Sequence, residues 1–448
     1  MGEKTFRTIC LELLQRIDGD SGYSHLLIDR EIKRHQLTNK DAALLTEIVY
    51  GTMERKMTLD YMLEPFIHHK KLESWVHMLL RMSVYQMIYL DKVPDYAIIN
   101  DAVEIGKKSG HKGIASFVNG VLRNVRRKGV RDPQDISDPI QRLSISTSHP
   151  KWLIKRWVAQ YGMHITEKMA QTNLKRKPLS VRVQPLKISR DDAMAKLKQL
   201  GFSVSPSTFS KQGIVVEKGN VLQTDLFLEG FMTIQDQTSM LVAEMLQVQP
   251  GMTVLDACSA PGGKVTHVAE LMDNTGVVHA YDLHKKKVRL LRERMEKIDL
   301  KIIDVYQGDA RKLQSRHDPS SYDRIIVDAP CSGFGVIRGK PDIKYRKNEA
   351  DIRQLAHIQY DILNHVASLL IEDGKLIYST CTVEKDENEH VVRRFIETHP
   401  EFTVDTSFFK DIPTFLHDSE GLSDLGLQIF PQTFNTDGFF LTRLIKQL

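Results

Sequence analysis

Cys331 and Cys381 are the residues whose type and placement point most directly to chemistry. Cys331 lies in Asp328-Ala-Pro-Cys-Ser-Gly333, and Cys381 lies in Tyr378-Ser-Thr-Cys-Thr382. Each follows an apolar run, at 324–327 and 375–378, that reads as a buried parallel strand. Ligands of an open α/β sheet sit outside the carboxyl ends of its strands. Both thiols are therefore expected to face one crevice. A third segment, Val254-Leu-Asp-Ala-Cys-Ser-Ala-Pro-Gly-Gly-Lys264, brings a glycine turn and a lysine to the same edge. A lone buried cysteine is usually a small hydrophobe, and Cys10, on the apolar side of a helical pattern, fits that description. Cys331 and Cys381 instead sit in polar loops just past strand ends. No two cysteines form a Cys-x-x-Cys pair, so no metal site is assigned.

A pair of thiols beside a nucleotide-type loop suits methyl transfer to carbon 5 of cytosine. That carbon is a poor nucleophile. A thiolate adding at carbon 6 makes the ring enamine-like, so that carbon 5 can attack a methyl donor. A base then removes the carbon 5 proton, and elimination frees the thiol. One hard step becomes two easier ones. Asp328, three residues before Cys331, is placed for the polar edge of the base. The glycine loop itself is not a P-loop, because Cys258 and Val265 stand where that motif needs Gly and Ser or Thr. It is not a G-x-G-x-x-G fingerprint either.

Taken together, Ala260-Pro-Gly-Gly-Lys264, Asp328-Ala-Pro-Cys-Ser-Gly333 and Ser379-Thr-Cys-Thr382 resemble motifs I, IV and VI of the RNA cytosine-5 methyltransferases. The chain is most similar to the bacterial 16S rRNA enzymes of the RsmB/Sun/Fmu group. Residues 6–63 and Phe117-Val-Asn-Gly-Val-Leu-Arg123 resemble the NusB-type domain of that group, and Asp437-Gly-Phe-Phe-Leu-Thr-Arg443 resembles its ending. The resemblance implies S-adenosyl-L-methionine as methyl donor, held by Cys258, Ser259, Ala260, Pro261, Gly262, Gly263 and Lys264. Asp282 would take the ribose, Asp309 would contact the adenine, and Asp328 would stand between donor and base. Cys381 would be the nucleophile and Cys331 the thiol assisting release, with Lys264 holding Asp328. In isolation Asp282 and Asp309 are as readily turn formers or helix caps. The target implied is a cytosine of the cytosine-967 type in 16S rRNA, as free RNA or in an early small-subunit particle. Other readings are action on tRNA, 23S rRNA, DNA or protein, or a non-catalytic RNA-binding assembly factor. The intact loop and both cysteines argue against the last.

The 448 residues are 41% hydrophobic and 27% charged, as in an ordinary globular protein. The net charge of +5 suits a polyanionic partner without demanding one. No apolar run approaches the ~20 residues of a membrane helix. The start, Met1-Gly-Glu-Lys-Thr-Phe-Arg7, shows no apolar signal core, and Phe6 breaks a myristoylation pattern. A cytoplasmic monomer is expected, with no membrane partner.

Three domains are expected. Residues 1–140 read as an all-α, NusB-like RNA-binding domain. Apolar residues recur at helical spacing from Phe6 to Ile17, Thr38 is a candidate N-cap, and residues 75–90, 97–105 and 115–125 form further helices. Arg123, Arg126, Arg127 and Lys128 form a basic run that is as often a solvated face as an RNA site. Asp132-Pro and Asp138-Pro read as a linker. Residues 141–232 read as a small α+β RNA-contacting domain carrying Lys175, Arg176, Lys177 and Arg182, with Gln184 where the family usually has a strand asparagine. Residues 233–448 read as an α/β, Rossmann-like class I methyltransferase domain. Its strands are expected at 253–256, 277–281, 302–306, 324–327 and 375–378, with a late antiparallel strand at 439–443. Asp256 could brace the first loop, Asp323 reads as a turn residue, and Arg338, Lys340, Lys344, Arg346 and Lys347 could line the substrate RNA.

Overall fold

The computed structural model describes residues 5–19, 24–67 and 71–447. Met1 to Lys4, on which part of the leader and myristoylation readings rests, lie outside the described residues. The chain divides into two compact units, Met1–Lys175 with Ile337–Arg346, and Arg176–Val336 with Lys347–Leu448. No helix among the described residues is long and apolar enough to cross a membrane.

The first unit is helical. In chain order its helices are α1 (Phe6–Gly19), α2 (Ser24–Arg34), α3 (Asn39–Glu54), α4 (Lys56–Ile67), α5 (Ser74–Tyr89), α6 (Asp95–Ser109), α7 (Lys112–Lys128), α8 (Pro139–Ser146) and α9 (Lys151–Thr172). The helical spacing in α1 buries Ile9, Cys10, Leu13, Leu14 and Ile17 against α3 and α5. Thr38 does cap α3, accepting from the Asp41 amide at 3.2 Å. The Asp-Pro pairs are not linkers. The Asp138 carboxylate accepts from the Ile140 amide at 3.1 Å, and Pro139 opens α8 with its fixed φ and missing N–H.

Ile337–Arg346, which follows the Cys331 loop in sequence, belongs to this helical unit. Lys344 is fully buried there, and its amine donates to the Glu54 carbonyl at 2.9 Å. Burial pulls its pKa down to about 7. The expectation that Lys344 lines RNA is therefore corrected, since its charge faces protein. Arg338 is buried too, its Nε donating to the Lys175 carbonyl at 2.9 Å.

The second unit holds two sheets. Strands β1 (Leu179–Val183), β2 (Ser203–Pro206), β3 (Gly213–Lys218) and β4 (Met232–Ile234) form an antiparallel sheet of order β2-β3-β1-β4, with α10 (Arg190–Gln199) after β1. The remaining strands are β5 (Thr253–Asp256), β6 (Val277–Asp282), β7 (Ile303–Gln307), β8 (Tyr322–Asp328), β9 (Leu370–Thr380), β10 (Phe402–Val404), β11 (Leu422–Ser423), β12 (Gly426–Ile429) and β13 (Phe439–Lys446). They form a second sheet of order β11-β12-β13-β9-β8-β5-β6-β7, with β10 also paired to β13. Strands β5 to β9 run parallel, and β13 runs antiparallel to β9.

Both faces of this sheet are covered, so its strands are apolar on both sides. Val254, Ile326 and Ile377 join one core with Leu241, Val265, Val268 and Leu291. Leu255, Ile325, Val327 and Tyr378 join the other with Ile362, Leu363, Val392 and Phe395. Alternation along each strand sends neighbouring residues to opposite helical layers. The chain order reverses between β5 and β8, so the loops after those two strands open into one crevice.

Candidate active site

The two thiols do meet. Cys331 leaves the end of β8 and Cys381 the end of β9, and their sulfurs lie 3.3 Å apart, unbonded. The parallel register, with Asp328 opposite Ser379, puts the two loops side by side. The Ser332 and Thr382 hydroxyls, 2.8 Å apart, tie the loops together just beyond the thiols. The Gly335 amide donates to the Cys381 carbonyl at 3.0 Å, and a Cβ on Gly335 would strike the Gly438 carbonyl.

The Cys331 thiol is pushed up well above its ordinary pKa, first by its hydrogen bond to Cys381, then by burial and the nearby Cys381, Glu387 and Asp328 charges. Asp328 accepts from the Lys264 amine at 2.7 Å and from the Ser379 hydroxyl at 2.9 Å. Burial opposes the Lys264 charge, but Asp328, and after it the Cys381 sulfur, outweigh burial and raise its pKa. The ammonium also sits 5.4 Å from the Phe439 ring centre.

Beside the thiols opens a cavity of about 360 Å³. Cys258, Ala260, Asp282, Asp309 and Asp328 line it, together with Cys331 and Cys381. Ser259, Pro261, Gly262 and Gly263 form the turn that carries this wall. The Ser259 amide donates to the Tyr281 carbonyl at 2.7 Å, and the Gly262 amide to the Ser259 carbonyl at 2.8 Å. Gly262 has φ +97°, and a Cβ there would meet Leu291 at 2.3 Å, so the turn needs glycine. Asp256 is buried beneath the turn and accepts from the Cys258 amide at 3.3 Å. Burial, and then Asp328, push its pKa up to about 7. Asp323 accepts from the Thr253 amide at 2.8 Å and so joins β8 to the start of β5.

Asp282 and Asp309 each keep a local duty. Asp282 accepts from the His284 amide at 2.9 Å, and Lys287 stands 3.7 Å away. Asp309 accepts from the Arg311 amide at 3.0 Å and from its guanidinium at 2.7 Å, which holds the carboxyl below its usual range. An acid at the second strand end, a further acid past the third, and an apolar wall of Ile358 and Ile362 suit a nucleoside donor.

Two basic residues expected to face RNA are committed to protein partners. Arg182 is 1% exposed and donates to both Glu270 oxygens, at 2.9 and 2.8 Å, and to the Gly263 carbonyl at 2.6 Å. Lys177 bridges Asp236 at 2.7 Å and Asp437 at 2.6 Å. The basic character of β1 thus serves the ordering of the glycine loop. Gln184 is buried, its amide donating to the Ile298 carbonyl at 2.8 Å.

Family comparisons agree with the geometry along the chain. Residues 243–445 match the family model described as 16S rRNA methyltransferase RsmB/F. Residues 4–127 match the NusB family, and 149–223 match the RsmF/B-like ferredoxin-like domain. The probable ribosomal RNA small subunit methyltransferase B of Bacillus subtilis (strain 168) is 45% identical over all of both chains. The chain belongs to the RsmB/F family. The probable counterpart of Synechocystis is 32% identical, with 98% of this chain and 99% of that one covered. The crystal structure of PH0851 superposes with a TM-score of 0.84 at 25% identity, covering 99% of this chain and 100% of that one. As an RsmB/F member the chain is an S-adenosylmethionine-dependent enzyme that methylates carbon 5 of cytosine in rRNA. Its fold is the family's all-α NusB-like domain, small α+β domain and Rossmann-like methyltransferase domain.

Sequence reading did not single out Gln359, Glu387 or Asn388, which surround the RsmB/F thiol loops from behind. Gln359 sits on α11 (Glu349–Val366), and Glu387 and Asn388 directly precede α12 (Glu389–Thr398). In Glu384-Lys-Asp-Glu-Asn-Glu389 they look like any solvated polar run. Their one signal is position, six and seven residues after Cys381.

Proposed function

We propose that the chain methylates carbon 5 of a cytosine of the cytosine-967 type in 16S rRNA, through a covalent bond between Cys381 and carbon 6. The observation that carries this reading is the thiol pair 3.3 Å apart at two parallel strand ends, beside a cavity lined by Asp282, Asp309 and Asp328. S-adenosyl-L-methionine, when bound, supplies the methyl group. The Cys258 to Lys264 loop, Asp282 and Asp309 hold it. Cys381, as the thiolate, adds to carbon 6. Asp328, fixed by Lys264 and Ser379, meets the polar edge of the base. After methylation a base takes the carbon 5 proton, the electrons of that bond restore the double bond between carbons 5 and 6, the bond from Cys381 to carbon 6 breaks, and the thiolate returns. Cys331 assists that release.

The target base must leave its stack to reach the thiol. Free 16S rRNA or an early small-subunit particle is therefore the substrate, and a cytoplasmic monomer is the working form. The helical unit offers a groove for RNA, where Tyr96, Asn100, Arg123, Arg126 and Arg127 line one cavity and Tyr96 is 65% exposed. Arginine forks with an exposed ring suit a phosphate backbone and an unstacked base.

Two variants test the reading. Cys381→Ala should abolish methylation and the protein–RNA adduct. Cys331→Ala should form the adduct and fail to resolve it, so that a band stable in denaturing gels accumulates with donor present. An adduct trapped by Cys381→Ala and absent from Cys331→Ala reverses the assignment. Mapping of methylated cytosines in 16S rRNA from cells with and without the protein fixes the target.

A further inference from the structure

Two adjacent buried residues, Glu387 and Asn388, hold groups that flank the two thiols. Glu387 is fully buried, and one oxygen accepts from the Ser332 amide at 2.8 Å, directly after Cys331. The same oxygen accepts from the Gln359 amide at 3.0 Å, which also donates to the Pro330 carbonyl at 2.9 Å, directly before Cys331. The Cys331 peptide is thus gripped on both sides. The Glu387 carbonyl in turn accepts from the Tyr378 hydroxyl of β9 at 2.5 Å.

Asn388 does the same for the other loop. It accepts from the Thr380 hydroxyl at 2.5 Å, before Cys381, and donates to the Thr382 carbonyl at 3.2 Å, after it. Gln428 steadies it, its oxygen accepting from the Asn388 amide at 2.8 Å. Asn388 occupies the N-cap of α12, yet its side chain caps nothing there. Asparagine at that position ordinarily satisfies the first helical amides. Here it is committed to the Cys381 loop instead. Glu387 likewise leaves its second oxygen buried without a hydrogen-bond partner. Both residues forgo local satisfaction for the thiol loops.

We propose that Glu387 and Asn388 are positioning residues that form a two-handed clamp, Glu387 fixing Cys331 and Asn388 fixing Cys381, so that the two sulfurs are held at working distance. The functional meaning of that distance rests on the two-thiol reading above. A displacement of ~1 Å at reacting groups costs on the order of 100-fold in rate. A clamp that acts on peptide groups flanking each thiol controls displacements of that size.

The test uses the full-length protein and a short bifunctional thiol reagent, dibromobimane, with the bridged peptide located by mass mapping. Wild type should bridge Cys331 to Cys381 rapidly. Glu387→Ala and Asn388→Ala should each slow bridging by about 10-fold or more, as expected of a loop freed on both sides. Donor affinity should stay unchanged. Glu387→Gln, which keeps an acceptor for the Ser332 amide, should stay within about 3-fold of wild type. Asn388→Asp, which loses the donor to Thr382, should be slowed. These two isosteric variants serve where the alanine variants do not fold. In RNA assays Glu387→Ala should chiefly slow adduct resolution, and Asn388→Ala should chiefly slow adduct formation. Bridging at the wild-type rate in Glu387→Ala or Asn388→Asp overturns the clamp. Bridging needs no RNA, so methylation that survives loss of both thiols would overturn the two-thiol reading and leave the clamp result standing.

Discussion

Glu270 and Glu387 are both buried glutamates in one compact unit, and both brace a loop at the carboxyl end of a central strand. Their partners differ. Glu270 is gripped through both oxygens by Arg182, whose guanidinium also reaches the Gly263 carbonyl and the Thr266 hydroxyl, and Gln212 donates to it at 2.9 Å. Glu387 is gripped by two neutral amides, and burial pushes its pKa up to about 7. The donor-side turn therefore rests on a carboxylate paired through both oxygens with a guanidinium. The thiol-side loop rests on a carboxyl that changes state near neutrality. A methyl donor with a fixed charge pattern needs a rigid wall. A thiol pair that moves protons sits beside a brace that can itself take one.

The largest effect should come from breaking the compensated side. Arg182→Ala strands the Glu270 carboxylate in a dry interior, and removing one partner of a buried pair costs ~3–5 kcal/mol. Urea denaturation should show that loss, with a much smaller loss in an Arg182→Met, Glu270→Leu double variant. A single variant as stable as wild type would mean that water reaches Glu270.

Next in size is the uncompensated side, where pH is the probe. The unfolded chain releases the Glu387 proton near the ordinary glutamate value of about 4.5, and the folded chain holds it to about 7. Folding therefore takes up a proton between these values, and the contribution of Glu387 to stability falls as pH rises through that window. Above about 7 the cost is constant. By linkage the full swing is at most about 3 kcal/mol. The titratable neighbours of Glu387 are Glu384, Cys331 and Tyr378. Asp256 adds a slope of the same sign. Glu387→Gln should flatten part of the fall between pH 5 and 8. Equal pH profiles for wild type and Glu387→Gln would show that Glu387 ionises normally.

Lys264 joins the two sides, since it rises from the donor loop to hold Asp328. Lys264→Met should lower the methylation rate by roughly 100-fold, the scale of losing one electrostatic contact at a reacting centre. Donor affinity should change far less. A variant that loses donor binding as strongly as rate would make holding the donor, rather than holding Asp328, the main duty of Lys264.

How far the sequence could be read follows from the same contrast. Strands β8 and β9 were legible because a parallel strand covered on both faces is a continuous apolar run, and the thiols sit immediately after it. The start of β9 was not, because Glu372-Asp-Gly374 looks like a turn, and Asp373 does adopt φ +57°. Arg182 and Lys177 looked like an RNA-facing basic patch, since nothing local reveals partners 88 and 59 residues away. Asp138-Pro looked like a linker because the same dipeptide breaks one helix and caps the next. Glu387 and Asn388 were invisible for a related reason. Their hydrogen bonds go to peptide groups, and a peptide group leaves no signature in the sequence.

The smallest effect sharpens the comparison at a third buried acid, one that faces the cavity. Asp282 is 7% exposed and has one oxygen committed to the His284 amide, while its side chain lines the donor cavity. If the second oxygen serves the ribose, Asp282→Asn should keep the turn, because the amide oxygen still accepts from His284. It should weaken S-adenosyl-L-methionine binding by roughly 10-fold, about 1.4 kcal/mol, with thermal stability unchanged. Asp282→Ala should add a loss of about 1 kcal/mol in stability, the usual cost of a missing side-chain cap. Calorimetry that finds the Asn variant binding like wild type, with only the Ala variant destabilised, would make Asp282 a turn former. Asp282 would then stand with Glu270 among the acids that serve the fold, and the ribose contact would have to come from elsewhere on the wall.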